Sequence, residues 1–142
     1  MEIQEHKMIP TIKLTTQKIK IFDHLRNTDN HPTAEQVYNA VRRDLPTISL
    51  ATVYRNLNAL AEDGDVLRLE VNKEFRFDAD ISPHQHGICK SCGDIFGVFH
   101  RHITEHAMEN MKSEDFEPHS VRIIFHGVCR GCKGKKENPS AD

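Results

Sequence analysis

Apolar residues recur at helical spacing through the first half of the chain. Over residues 15–25 they fall near helical spacing, with charged residues on the more solvent-exposed side, which predicts a first helix. The stretch HPTAEQVYNAVRRDLP predicts a second helix, with Thr33 as N-cap, Gln36 completing a capping box, and an end before Pro46. The stretch SLATVYRNLNALAEDGD predicts a third helix, capped by Ser49 and followed by a glycine just past its end. The first half therefore predicts three short helices.

A two-residue alternation follows the third helix. In VLRLEVNKEFRFD the apolar side chains fall at every second position on either side of Asn72-Lys73, which predicts a hairpin with a tight turn. Three short helices closed by a two-stranded hairpin are the layout of a winged helix-turn-helix, whose third helix enters the major groove of DNA.

The third helix has a polar outer face. Its apolar residues Val53, Leu57 and Leu60 form one stripe, as expected of a helix that packs against a core. Four residues then face away from that core: Thr52, Arg55, Asn56 and Ala59. Similar stripes occur in helices that only pack a core, so the pattern leaves a DNA-binding role and a purely structural role both open.

The second half of the chain predicts a different module. HQHGICKSCGDIFGVF predicts a strand, a turn and a strand, followed by a helix from about His102 to Met111 and a final strand, HSVRIIFHG, ending at Cys129. We therefore expect an α+β protein with a winged-helix domain over residues 1–80, a second domain over 81–137 and a disordered polar tail over 138–142.

The composition narrows the class of protein. A chain of 142 residues, 37% hydrophobic and without tryptophan, can form one ordinary domain or two small ones. No apolar run is long enough for a membrane helix, and the N-terminus lacks the hydrophobic segment of a signal peptide, so we expect a cytoplasmic protein without membrane contact. The net charge of −2 does not indicate a nucleic-acid binder. Up to Leu57, however, 8 basic residues stand against 6 acidic ones, a weak local bias toward DNA.

Four cysteines form two CxxC pairs, Cys89 with Cys92 and Cys129 with Cys132. In a reducing compartment such pairs are more often metal ligands than disulfides. Four thiolates around one zinc ion would also tie the last strand to the first strands of the second module. The alternatives are four buried reduced thiols or a redox-active pair.

A second candidate metal site involves histidines. His84 and His86 share one face of the predicted strand, while Cys89 lies on the other face, so a single ion would not collect all of them. Asp78, just before the boundary between the two modules, and His31, directly ahead of the second helix, are further candidates, and an ion joining all four residues would control how the two domains are oriented. The chain has ten histidines, and most surface histidines bind no metal. His102 and His106, one helical turn apart, fit a solvated helix face better than a metal site.

Taken in order, these motifs resemble the ferric uptake regulator family of metal-dependent repressors. The matching stretches are HPTAEQVY, SLATVYRNLNALAEDG, the hairpin end RFD, HQHGICKSCG and GVCRGC, and the match runs from Leu14 to Cys132. The resemblance implies an N-terminal DNA-binding domain, a C-terminal domain that forms a homodimer, and a double-stranded operator as partner, with no small-molecule substrate.

The resemblance also implies two metal sites and a set of DNA contacts. Structural zinc would bind Cys89, Cys92, Cys129 and Cys132, and a regulatory iron or manganese ion between the domains would bind His31, Asp78, His84 and His86. Tyr54 and Arg55 match the family's DNA-contacting positions on the third helix. The full set of candidate DNA-binding residues is Ser49, Thr52, Tyr54, Arg55 and Asn56.

Within the family, the chain is most similar to the peroxide-responsive regulators. Iron sensors tend to have glutamate where this chain has Asp78, whereas peroxide sensors have aspartate and also carry both CxxC pairs. In that subfamily ferrous iron reacts with hydrogen peroxide, and the resulting oxidant modifies ligand histidines that match His31 and His84.

The chain departs from the family pattern at the regulatory site. The family has a carboxylate ligand shortly after Cys92, where this chain has Gly97. Iron sensors carry ligands of an additional site where this chain has Pro83 and Gln85. Losing a carboxylate lowers the ligand count and the negative charge, so we expect the regulatory ion to bind weakly.

The leading hypothesis is a dimeric, metal-dependent transcriptional repressor that binds a palindromic operator, responds to peroxide and is not an enzyme. An iron or zinc uptake regulator is the alternative within the same family. A small metallohydrolase using the histidines and Asp78 is an alternative of another class, as is a zinc module that binds a protein and no DNA.

Overall fold

The computed structural model describes residues 15–134, and the chain divides into two units between Ile81 and Ser82. In the first unit, helices α1 (Thr16–Arg26), α2 (Ala34–Val41) and α3 (Leu50–Glu62) are followed by strands β1 (Leu67–Val71) and β2 (Glu74–Asp78). The second unit contains β3 (Gln85–Cys89), β4 (Ile95–Val98), helix α4 (Arg101–Met111), β5 (Ile124–Gly127) and the short helix α5 (Arg130–Lys133). The predicted α+β class with an N-terminal winged helix-turn-helix is confirmed.

Side-chain caps fix where the second and third helices begin. The Thr33 hydroxyl accepts a hydrogen bond from the Gln36 backbone N–H at 3.2 Å, and the Gln36 side chain accepts from the Thr33 N–H at 2.9 Å. The Ser49 hydroxyl caps α3 by accepting from the backbone N–H of Thr52 at 3.1 Å. Gly64 follows α3 with a φ of +83°, a conformation that glycine adopts without strain. Both predicted caps are confirmed.

The hairpin has the tight turn that the sequence predicts. Asn72 and Lys73 have φ values of 55° and 68°, as the two-residue loop of a twisted hairpin requires. Phe77 is fully buried among the apolar residues of the three helices, including Val53, Leu57 and Leu60 of the predicted stripe. Phe75 belongs to the same alternation but is 42% exposed, and the Arg68 guanidinium lies 4.6 Å above its ring. One strand of the wing therefore contributes directly to the helical core.

In the second unit the three strands form one sheet in the order β4-β3-β5. The predicted strand, turn, strand, helix and strand are confirmed, but the last strand is shorter than HSVRIIFHG. Pairing with β3 begins only at Ile124, which lies opposite His86, so β5 starts there and not at His119. The sequence also did not predict α5, which contains the second CxxC pair.

Two further expectations concern the ends of the chain and membranes. The tail over residues 138–142 lies outside the described residues. Within residues 15–134, no helix is both long and apolar enough to cross a membrane.

Candidate metal centres and nucleic-acid interface

The second unit brings the four cysteine thiols into one cluster. The sulfur atoms of Cys89, Cys92, Cys129 and Cys132 all lie within 4.8 Å of one another. The Cys92 and Cys129 sulfurs are 3.8 Å apart, and two ligands of a tetrahedral zinc, each about 2.3 Å from the ion, would be separated by about 3.8 Å. The cluster therefore fits a four-thiolate zinc site.

Strand pairing explains why the two CxxC pairs meet. Cys89 ends β3 and lies opposite Gly127 of β5, so the chain leaves both strands at the same point of the sheet. The backbone N–H of Lys90 donates to the Gly127 carbonyl at 2.7 Å, which extends this pairing by one residue. A turn then carries Cys92 back over Cys89, and Gly93 occupies its left-handed position with a φ of +82°. Cys129 lies directly before α5, which returns Cys132 to the cluster.

The thiols differ in their tendency to ionise. Backbone N–H groups of Cys129 and Cys92 donate to the Cys89 sulfur at 3.4 and 3.5 Å, and these bonds lower the pKa of Cys89 to about 6. The hydrogen bond with the Cys129 side chain, together with burial and the other thiols, raises the pKa of Cys132 to about 12. Four thiolates this close to one another repel, so full deprotonation requires a bound cation.

In the first unit, His31 and Asp78 form a pair. The His31 Nε2 lies 3.1 Å from a carboxylate oxygen of Asp78, and the histidine is 7% exposed. His31 has a φ of 51°, a strained conformation for a residue with a side chain. Its backbone is held by the guanidinium of Arg76, which donates to the His31 carbonyl at 3.0 Å, and the neighbouring Pro32 carbonyl accepts from the Phe77 N–H at 3.0 Å. These bonds hold the segment before α2 against the end of β2.

In the second unit, His84 and His86 form a second pair, with their Nε2 atoms 3.0 Å apart. Both are buried. The His84 Nδ1 lies 2.7 Å from the Ser82 carbonyl, which can only accept, so Nδ1 carries the proton and Nε2 presents its lone pair. Two nitrogens at right angles around one ion, each about 2.1 Å away, would also lie about 3.0 Å apart. The pair therefore has the spacing of two adjacent ligands of one ion.

The strand opposite these histidines supplies no ligand. Gly97 of β4 pairs with His86, and glycine has no side chain to coordinate an ion. Gln85, between the two histidines, is fully buried, and its amide donates to the Thr104 hydroxyl at 2.6 Å and accepts from the His100 N–H at 3.1 Å. Gln85 therefore joins β3 to the start of α4.

The alternative histidine pair on α4 is exposed. His102 has 98% of its side chain accessible and lies 3.9 Å from the Glu105 carboxylate. His106 is 3.3 Å from the side chain of Asn110. Among residues 15–134, neither histidine belongs to a group of three potential metal ligands.

The outer face of α3 carries an ordered row of polar side chains. The Ser49 hydroxyl donates to the Thr52 hydroxyl oxygen at 3.0 Å, and the Arg55 guanidinium donates to the same oxygen at 3.2 Å. Tyr54, next to Arg55, is 44% exposed. Asn56 is half-buried, and its amide donates to the Thr52 carbonyl at 2.9 Å, which turns it toward the helix backbone. Of the candidate DNA-binding residues, Ser49, Tyr54 and Arg55 are exposed, whereas Thr52 and Asn56 are half-buried.

Sequence reasoning missed two residues around His84. Phe99 stacks on the His84 ring with 4.5 Å between centroids and 14° between planes, and Ser82 fixes the histidine tautomer. The Ser82 contact involves a backbone carbonyl and leaves no trace in residue type. Phe99 could have been suspected from the two-residue alternation that places it after Gly97, but its stacking partner could not.

Comparison with known proteins places these features in a family. The family model described as the ferric uptake regulator family matches residues 10–126. The peroxide operon regulator of Bacillus subtilis is 35% identical over 128 residues, covering 89% of this chain and 88% of that protein.

Solved structures agree in fold. The Campylobacter jejuni peroxide stress regulator matches with a TM-score of 0.71 and 26% identity, covering 92% of this chain and 96% of its own. The Pseudomonas aeruginosa ferric uptake regulator, solved with manganese, matches with a TM-score of 0.73 and 25% identity, covering 92% and 99%. Since the family model spans most of the sequence and a relative is 35% identical over nearly its full length, this chain belongs to the ferric uptake regulator family.

Proposed function

We propose that the protein is a dimeric, metal-dependent transcriptional repressor that responds to peroxide, and that it acts as a regulator and not as an enzyme. The observation that carries this proposal is the presence, in one chain of this family, of an exposed polar reading helix and two separate sets of metal ligands. The similarity to the Bacillus subtilis peroxide operon regulator supports peroxide as the signal.

The four cysteines hold a structural zinc in this proposal. Two observations support it: the 3.8 Å sulfur separation matches two ligands of a tetrahedral zinc, and the backbone N–H bonds to Cys89 favour its thiolate. The zinc would join the turn after β3 to α5, so its binding free energy contributes to the folding of the second unit. Its role is to keep the β-sheet and the histidine-bearing end of β3 in place.

The regulatory ion is held by His31, Asp78, His84 and His86 in this proposal. Support comes from each pair separately, since the His31–Asp78 distance of 3.1 Å and the His84–His86 distance of 3.0 Å both match neighbouring ligands. Iron bound there would supply one-electron reduction of hydrogen peroxide. His31, His84 and His86 would bind such an ion through ring nitrogens, and the rings of His31 and His84 are the groups that we expect oxidation to modify.

An iron or zinc uptake regulator is the second candidate, and Gly97 is the observation that favours it. Without a carboxylate at this position the ligand set is poor in oxygen, and nitrogen-rich sites also suit zinc. Aspartate at position 78 favours the peroxide-responsive type. The two candidates differ in whether peroxide or metal supply changes DNA binding.

DNA is read by α3 in this proposal. Ser49, Thr52 and Arg55 are linked by hydrogen bonds, which lowers the entropy that Arg55 would lose on binding a base. Tyr54 lies exposed beside them. Two chains joined through their second units present two such helices, and a two-fold symmetric protein binds a palindromic operator.

The zinc proposal predicts the behaviour of Cys89→Ser. Because zinc binding contributes to folding, this variant should purify with little zinc, and its second unit should unfold at lower temperature. Two measurements test this: the zinc content per chain, by elemental mass spectrometry, and thermal unfolding, by circular dichroism. Ser91→Ala, in the same turn, is the control and should behave as wild type. A Cys89→Ser protein with full zinc and unchanged unfolding would contradict the proposal.

The DNA proposal predicts a specific loss for Arg55→Ala. If Arg55 reads a base, the substitution should weaken operator binding by about 1–3 kcal/mol and leave binding to unrelated DNA nearly unchanged. Arg55→Lys keeps the charge but lacks the planar fork, so it should restore little of the specific affinity. Equal losses on operator and unrelated DNA, recovered by Arg55→Lys, would show a phosphate contact only.

The regulatory proposal predicts how operator affinity depends on metal and oxidant. Protein with zinc-filled cysteines should bind operator when iron or manganese is added, and bind weakly without them. Peroxide should release the iron-loaded protein from the operator and leave the manganese-loaded protein bound, because manganese does not start the one-electron reduction of peroxide. Fluorescence anisotropy with labelled operator under anaerobic conditions measures this. Binding that depends on zinc supply and ignores peroxide would instead establish the uptake regulator.

A further inference from the structure

Position 97 faces the ring of His84 across the edge of β3. A Cβ atom built on Gly97 would lie 3.7 Å from Cδ2 of His84, so a side chain here would project toward the histidine pair. The same Cβ would lie only 3.2 Å from Cε1 of Phe99, which is tighter than an ordinary van der Waals contact. The space beside His84 that a ligand from position 97 would need is therefore bordered by an aromatic ring.

Phe99 lies beside Gly97 because its ring stacks on that of His84. It lies two residues after Gly97, so the two share a face of the chain where it runs extended. Its ring stacks on His84 with 4.5 Å between centroids and 14° between planes. The ring is 59% exposed, so one of its faces covers the histidine and the rest meets solvent. An apolar ring in this place offers no hydrogen bond to a carboxylate or an ordered water on that side of His84.

The ring also leaves the His84 nitrogen correctly aimed. The Ser82 carbonyl accepts from Nδ1 at 2.7 Å, and Phe99 restrains the ring plane, so Nε2 stays directed toward His86. With glycine at position 97 and an apolar ring at position 99, neither residue gives the site an oxygen donor from its side chain, while the nitrogen donors of the histidine pair stay in place. The ligand set becomes richer in nitrogen than a set with a carboxylate at position 97.

We propose that Phe99 is a specificity-determining residue that biases the His84–His86 site toward iron and against manganese. Imidazole ligands suit iron, whereas manganese prefers carboxylate, carbonyl and water oxygens, and affinity for nitrogen-rich sites rises from manganese to iron. The inference rests on the proposed function of these histidines as regulatory ligands. Because manganese does not start peroxide chemistry, such a bias keeps the site in the form that peroxide can change.

The proposal predicts that positions 97 and 99 act together. Gly97→Asp alone should change manganese affinity little, because the Phe99 ring stands 3.2 Å from the new Cβ. Phe99→Ala should lower the preference for iron by admitting water. The double variant Gly97→Asp with Phe99→Ala should bind manganese at least about ten-fold more tightly than wild type. Changes at residues around a metal's ligands typically alter metal affinity by this much.

The test is anaerobic titration of zinc-loaded dimers with Mn²⁺, with the free ion measured by electron paramagnetic resonance, alone and in competition with Fe²⁺. Absorption of Co²⁺ bound in the same site reports coordination geometry and should shift toward higher coordination in the double variant. Phe96→Ala is the matched control, since Phe96 is a nearby phenylalanine of β4 that lies opposite Gly87 and is 45% exposed, and it should leave both affinities unchanged. Phe99→Leu, which keeps bulk but loses the flat ring, serves if the alanine variant is unstable, and should also reduce the preference for iron.

Two outcomes separate the inference from the function on which it rests. If wild type binds a second ion but the Fe²⁺ to Mn²⁺ preference is the same in the Phe99 variants, or if Gly97→Asp alone tightens manganese as much as the double variant, Phe99 does not set specificity. If wild type binds no second ion and His84→Ala changes nothing, the regulatory site itself is wrong.

Discussion

Parallel pairing of β3 with β5 is the constraint on which the second unit depends. Its register places Cys89 opposite Gly127, so the two CxxC pairs leave the sheet side by side although they are far apart in sequence. The same register sets His86 opposite Ile124, and β3 begins between the two histidines. A parallel pair of such short strands is a weak structure alone, and four thiolates binding one zinc ion at its end would stabilise it.

The protonation of the cysteines fits this arrangement. Backbone N–H groups at the turn and at the start of α5 favour the thiolate of Cys89, whereas the neighbouring thiols hold the proton on Cys132. The fold therefore favours the thiolate form of Cys89, whereas the other thiols need a bound cation before all four can be deprotonated together. At the other end of β3, carbonyl and ring contacts orient His84. Strand β3 thus connects a site suited to permanent zinc with a site suited to an exchangeable ion. A metal-dependent regulator requires both kinds of site.

Local signals made much of this fold predictable. The helix caps and the hairpin turn each depend on residues a few positions apart, so the sequence alone predicts them. These are Thr33 with Gln36, Ser49 before α3, and Asn72-Lys73. The CxxC spacing likewise predicted that the cysteines would cluster. The length of the last strand, the presence of α5 and the contact of Phe99 with His84 could not be predicted, because each depends on a partner brought near by the fold. Phe75 shows the same limit, since alternation alone does not tell which phenylalanine of the wing reaches the core.

The central claim is that a bound iron ion lets peroxide act on the ligand histidines. Peptide mass spectrometry of iron-loaded protein after brief peroxide treatment measures this directly, with manganese-loaded protein treated in parallel. The account predicts an added oxygen atom on His31 or His84 in the iron-loaded sample, none in the manganese-loaded sample, and no such addition on the exposed His102. Equal oxidation with both metals, or oxidation confined to the cysteines, would contradict it.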